Sequence, residues 1–189
     1  KTGADAGNYS ITQPTTTANI TARPLTITAS TDTKEYSRTT ASSGVPTLTS
    51  GAIQSGDSVT WTQTFDNWNV GTGKTLTPAG VVTDGNSGNN YSYTYTPVST
   101  GVITAKALTV SGVTADNKIY DAGLGVTLNL GTAAFVGVIG GDTVNIDTAS
   151  ATGAFADKHV GTAKTVTVSG INKTGADAGN YSITQPTTT

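Results

Sequence analysis

A chain of 189 residues with only 12% charged residues and a formal net charge of -2 carries no basic field for nucleic acid or anionic lipid. Cysteine and methionine are both absent, which excludes a disulfide framework, a thiol nucleophile and a Cys-ligated metal. Threonine and glycine abound and Glu35 is the only glutamate, so strand and turn formers outweigh helix formers and an all-β class is expected. No apolar run reaches the roughly 18 residues of a membrane span, so no membrane insertion is expected, and any export signal is expected outside this stretch.

The first block, Lys1–Thr17, returns letter for letter as Lys173–Thr189. Such identity is the mark of a tandem array, and the block reads as the tail of a preceding unit. A second, more diverged repeat lies inside. Residues 20–27, Ile-Thr-Ala-Arg-Pro-Leu-Thr-Ile, recur at 103–110 as Ile-Thr-Ala-Lys-Ala-Leu-Thr-Val. The matches continue in order: Asp32–Ser37 with Asp116–Asp121, Ser55–Val59 with Gly140–Val144, Phe65–Leu76 with Phe155–Val166, and Gly88–Ser92 with Ala178–Ser182. The chain therefore divides into a tail at 1–19, a first module at 20–103 and a second at 104–189. That second module lacks the Ala18-Asn19-Ile20-Thr21 strand that should follow its terminal threonines.

Taken in order, the strand signals are short alternating runs bounded by turn residues. Leu25–Thr28 and Leu108–Ser111 open the modules. Asp57–Phe65 places Val59, Trp61, Gln63 and Phe65 on one face, Lys74–Val82 and Lys164–Val168 read as further strands, and Tyr91–Thr96 sets three tyrosines on one side. Gly85–Gly88 and Gly140–Asp142 read as turns. The best helical signal is a single turn at Thr39–Ser43 or Ala154–Lys158. A module of this size buries only about 60–65% of its unfolded surface, so packing against neighbours is expected to stabilise it. No Gly/Ser linker separates the modules, and a stiff, short joint is expected.

The ordered set Lys-x-Tyr, Gly-Asp-[Ser/Thr]-Val, Phe-x-x-x-x-Val-Gly-Thr-x-Lys-Thr, [Ala/Gly]-[Gly/Asn]-Asn-Tyr and Ile-Thr-Ala-x-x-Leu-Thr occurs twice. This resembles the YDG-type tandem repeat of giant bacterial adhesins and filamentous haemagglutinin-like exoproteins. Ser37-Arg38 stands where the name-giving motif has Asp-Gly, and Gly125 also departs from the pattern. The resemblance implies a secreted or bacterial cell-surface stalk serving adhesion or biofilm cohesion, and it implies no enzyme.

Candidate sites meet an internal control, because each residue has a counterpart in the other module. His159, the only histidine, corresponds to Asn69, so it reads as a loop residue and no transition-metal ligand set is expected. Asp32, Asp57, Asp116 and Asp142 read as turn aspartates; no cofactor is expected, calcium being the single candidate at module joints. Trp61 and Phe65 read as core. Trp68, with Tyr93 and Tyr95, reads as a surface contact for host or matrix glycans. The Thr-x-Thr pairs lack the strict spacing of an ice-binding face. Sequons stand at Asn8, Asn19, Asn90, Asn172 and Asn180, and Lys74, Lys118 and Lys164 are the candidates for isopeptide cross-links.

Two tandem antiparallel β-sandwich-like modules forming a rod are therefore expected, with a β-grasp unit as the fold alternative. The expected function is a structural stalk repeat whose partners are neighbouring repeats. Two alternatives stand beside it: a glycan- or surface-binding module, and a unit that assembles with like molecules when Ala18, Asn19, Ile20 and Thr21 complete another chain by strand addition.

Overall fold

The computed structural model describes residues 1–189. In the first module the strands are β1 (Arg23–Thr28), β2 (Thr33–Glu35), β3 (Thr47–Ser50), β4 (Thr62–Phe65), β5 (Gly71–Ala79), β6 (Tyr91–Thr96) and β7 (Val98–Thr104). In the second they are β8 (Lys106–Ser111), β9 (Thr114–Ala115), β10 (Gly125–Val126), β11 (Leu128–Asn129), β12 (Ala134–Val136), β13 (Asn145–Asp147), β14 (Thr152–Phe155), β15 (Val166–Ser169), β16 (Asn172–Thr174), β17 (Tyr181–Ile183) and β18 (Thr187–Thr188). The fold is all-β and two-module, as the sequence led us to expect. Alternating burial in β4 and β15 reflects the period of two that sends successive side chains to opposite faces.

Each module has one three-stranded sheet of the same design, β3-β1-β6 in the first and β12-β8-β17 in the second. Their central strands pair antiparallel on one side and parallel on the other, Leu25 lying opposite Tyr93 and Leu108 opposite Ile183. The sheets are thus mixed rather than purely antiparallel, and β2 adds a third parallel pair against β7. Strand order in the companion sheets is β2-β7-β5-β4 and β10-β14-β15-β18. In the second of these, β18 takes the place of β7, and Asn117–Tyr120, which correspond to β2 and Tyr36, form no strand.

Two strands are shorter than their alternation suggests. The Asp57–Phe65 run pairs continuously only over β4, with Ser58 in an isolated bridge to Thr83, and β5 ends at Ala79, before Gly80. Gly80 has φ +143, and a Cβ there would meet the Trp61 ring at 2.6 Å, so the chain turns where only glycine fits. Neither proposed helical turn forms: Ala41 bridges Thr64, and Ala154 and Phe155 lie in β14. Single 3-10 turns occur instead at Ala6–Asn8 and Ala178–Asn180, in the two copies of the duplicated block.

One hydrophobic cluster lies within the first module: Leu25, Ile27, Val82 and Tyr91, with Trp61, Tyr93 and Tyr95 packed against it. The other crosses the module boundary. It joins Ala29, Tyr36, Phe65, Leu76 and Ile103 of the first module to Leu108 and Tyr181 of the second. Burying each large aliphatic or aromatic side chain contributes about 1.5–3 kcal/mol, so this shared cluster fastens the modules together.

Candidate functional site

The joint begins in the backbone. β7 ends at Thr104, β8 begins at Lys106, and Ala105 alone separates them. Ile103 packs into the shared core while Leu108, a few residues on, packs into the same core from the second module.

At the centre of the joint sits Asp142, whose side chain is fully buried. Its Oδ2 accepts hydrogen bonds from Tyr181 Oη at 2.6 Å and from Tyr36 Oη at 2.8 Å. Arg38 Nε lies 3.0 Å from Oδ1 as an ion pair outside hydrogen-bond angles, so that oxygen has no hydrogen-bond donor. Arg38 Nη1 also donates to Gly140 O at 3.0 Å. A carboxylate out of water needs such partners, because an unpaired buried charge is costly. Burial, and then the Asp142 carboxylate, push the Tyr36 hydroxyl up to about 12. The same two causes, in the same order, raise Tyr181, against the opposing pull of the Ile139 N–H. Both phenols are therefore held protonated, as donors to one oxygen.

A polar rim surrounds this centre. Val70 N–H donates to Asn180 Oδ1 at 2.9 Å, and Asn180 Nδ2 donates to Asn69 Oδ1 at 3.3 Å. Lys106 pairs with Glu35 at 3.0 Å, but Glu35 is half exposed, so the pair contributes at most about 1 kcal/mol. The pattern has a simple logic. Tyr36 comes from the Lys-x-Tyr motif and Val70 from Val-Gly-Thr, while Asp142 comes from Gly-Gly-Asp and Tyr181 from Gly-Asn-Tyr. Motifs of one module close upon motifs of the next.

The other candidate residues fall outside this joint or on its edge. Asp57 accepts Tyr91 Oη at 2.5 Å, the counterpart of Tyr181 on Asp142. Asp32 is buried and caps a loop through Ser42, Ser43 and Gly44, while Asp116 accepts from Asn129 Nδ2 at 2.7 Å. No group of three His, Asp or Glu side chains gathers as metal ligands. His159 is exposed, and its N–H donates to Asp157 Oδ1. Phe65 is buried and Trp61 half-buried. Tyr93 and Tyr95 are not free contact residues: they are half-buried, their rings stack with centroids 6.0 Å apart, and their hydroxyls bond Gly88 O and Gly80 O. Trp68 is 45% exposed on the loop leading to Asn69 and Val70, at the rim of the joint. Lys74 Nζ donates to Asn67 Oδ1, Lys164 pairs with Asp157, and Lys118 pairs with Asp121. Asn180 is buried in the joint, whereas Asn8 and Asn19 are exposed. Ala18, Asn19, Ile20 and Thr21 are all exposed, and the backbone from Tyr9 to Ala22 makes no hydrogen bond to other backbone apart from its end at Arg23.

The aspartate at the heart of the joint is the residue that sequence reasoning placed in a turn. Its signal was present in the pairing of Gly-Gly-Asp with Ser-Gly-Asp at matching positions, but two of its three partners, Tyr36 and Arg38, lie in the other module. Comparison with known proteins gives one family: the model of the YDG domain matches residues 21–99 and again residues 104–189. No curated protein and no solved structure matches the chain.

Proposed function

The chain belongs to the YDG domain family, and from that premise we propose that it is a structural stalk segment of a secreted or cell-surface bacterial adhesin. It acts by reach and stiffness in cell adhesion or biofilm, with neighbouring repeats as its partners. The observation that carries this reading is the joint: one intervening residue, a shared apolar core and a buried carboxylate held from both sides. Domains joined by a flexible linker reorient freely, whereas a shared core sets one angle between them. Small-angle X-ray scattering on the monomer tests it. A long, thin profile that a single rigid arrangement reproduces is expected; a compact or flexible ensemble sinks the reading.

A second reading has one supporting observation. Trp68 offers a half-exposed indole beside the joint, a surface on which a sugar ring can stack. A glycan array in which binding disappears with Trp68→Ala supports it, and silence across the array rejects it.

A further inference from the structure

The first and last runs of the first module lie side by side along their whole length. β1 pairs parallel with β6, from Arg23 opposite Tyr91 to Thr28 opposite Thr96. β2 then pairs parallel with β7, from Thr33 opposite Val102 to Glu35 opposite Thr104. Between these ladders the register slips by one residue, at the point where both runs leave one sheet for the other. The gap is stitched from both sides. Ala29 N–H donates to Thr96 O at 3.0 Å, Val102 N–H donates to Asp32 O at 3.0 Å, and the hydroxyls of Thr31 and Thr100 lie 2.8 Å apart. The ends are closed as well, by Arg23 N–H on Asn90 O and Tyr36 N–H on Thr104 O, each at 2.9 Å. Two short ladders in different sheets therefore act as one, joining residues 23–36 to residues 90–104.

The crossing between the sheets has little slack. Gln63, 2% exposed, accepts the Ser30 N–H on Oε1 and donates from Nε2 to Ser30 O, both at 2.8 Å, so the bend between β1 and β2 is held where sheet pairing is interrupted. On the other run Pro97 alone separates β6 from β7.

The direction of this ladder matters to a chain under tension. The chain enters the module at the start of β1 and leaves it at the end of β7. Because the paired runs are parallel, a pull along the chain drags them past each other in opposite directions. Ladder hydrogen bonds lie across the strands, so such a pull loads them together and none opens without its neighbours. An antiparallel pair of runs would instead meet the load at one end and part bond by bond. Ala105 alone then separates β7 from β8, and β8 is again paired parallel, from Lys106 opposite Tyr181 to Leu108 opposite Ile183. Tension leaving one ladder enters the next with no loop between them to lengthen.

We propose that the paired runs 23–36 and 90–104 form a shear clamp, and that a further function of the module is to bear tension along the chain without opening. Setting an angle, as the joint does, is a property of the resting molecule. Resisting a pull is a kinetic one, because forced unfolding is governed by the rate of leaving the native state rather than by equilibrium stability. The use of such a clamp rests on the stalk reading, whereas the clamp itself stands on the strand pairing alone.

Force spectroscopy on the full 189-residue chain tests it. The chain has no cysteine, so two introduced thiols are the only points of attachment. Ala22→Cys with Ala105→Cys pulls the two runs past each other. Ala22→Cys with Asn89→Cys pulls apart the adjacent starts of β1 and β6 and unzips the same ladder; none of the three residues is buried. The length released identifies the event, since residues 22–105 extend to roughly 280 Å and residues 22–89 to roughly 230 Å. At one loading rate the first pair is expected to need a several-fold higher rupture force than the second. Equal forces, or a lower force for the first pair, overturn the proposal. Both pairs leave the core side chains in place, so the comparison reads the direction of pulling. The stalk reading is judged separately: equal forces with a long, rigid scattering profile keep the stalk and reject the clamp, while a force difference with a compact or flexible profile keeps the clamp and rejects the stalk.

Discussion

Tyr36 and Tyr181 meet edge to face with ring centroids 5.4 Å apart and planes at 74°, and both hydroxyls end on the same carboxylate oxygen of Asp142. The two tyrosines belong to different modules, so a single buried charge is shared across the boundary. Such a pair adds roughly 0.5–1.5 kcal/mol beyond its buried area, and each hydrogen bond to the carboxylate about 1.5–3 kcal/mol.

Asp142→Ala removes the acceptor of Tyr36 and Tyr181 and the ion partner of Arg38 at once. A loss on the order of 3 kcal/mol is expected in denaturant unfolding. Asp57→Ala, with Tyr91 alone to release, is expected to lose less. Equal losses in the two variants would show that the joint adds nothing to the local Tyr–Asp pair.

The joint is expected to weaken in alkali. Tyr36 is held up at about 12 against an ordinary 10.0, so folding favours its protonated form. That stabilisation is complete below pH 10 and is lost as pH rises from 10 through about 12, when a phenolate would face the Asp142 carboxylate. Unfolding midpoints between pH 8 and about 12 should fall, and Tyr36→Phe should flatten the fall.

Acid acts through a different residue. Burial alone would raise Asp32, but donors from Ser42, Ser43 and Gly44 together outweigh it and hold its carboxyl below 3.8. Its contribution is present above pH 3.8 and disappears as pH falls through the lowered value. Asp32→Asn is expected to remove that part of the acid dependence, as read by thermal melts from pH 6 to about 2.

Leu108→Ala hollows the shared core from the second module's side. A loss of about 2–5 kcal/mol is expected, and the single unfolding transition should split as the modules uncouple. Leu25→Ala, at the matching position, should cost a similar amount without splitting the transition, since its cluster stays inside one module.

Trp68→Ala is expected to change stability by no more than about 0.5 kcal/mol, because nearly half of the side chain faces solvent. A larger loss in thermal melts would make the indole part of the joint and end the case for a sugar platform.

Much of the fold was legible because its signals are local. Composition set the all-β class, alternation placed Tyr91–Thr96 with its strand limits unchanged, and the repeated motifs gave the two modules. The parallel pairing of β1 with β6 was not legible, since alternation is the same whichever way a neighbour runs. The joint was hidden for a related reason. Asp142 follows two glycines and looks like a turn former, and only the arrival of Tyr36 from the other module makes it a buried anchor. Tyr93 and Tyr95 looked available because nothing local announces that their hydroxyls reach Gly88 and Gly80.

The duplicated block leads to a last consequence. Lys173–Thr189 is seated in the second module as the end of one strand, a 3-10 turn and two further strands, while the same letters at Lys1–Thr17 keep only the 3-10 turn. The turn is written in the block itself; the strands are lent by the surroundings. Two segments with identical side chains therefore compete for one seat as the chain collapses, and neither has an advantage in sequence. Connectivity decides, because the segment already tethered beside the seat has the higher effective concentration. Identical segments of one chain are rivals before they are partners, and the copy that emerges last during synthesis must find its seat in the presence of the one already exposed.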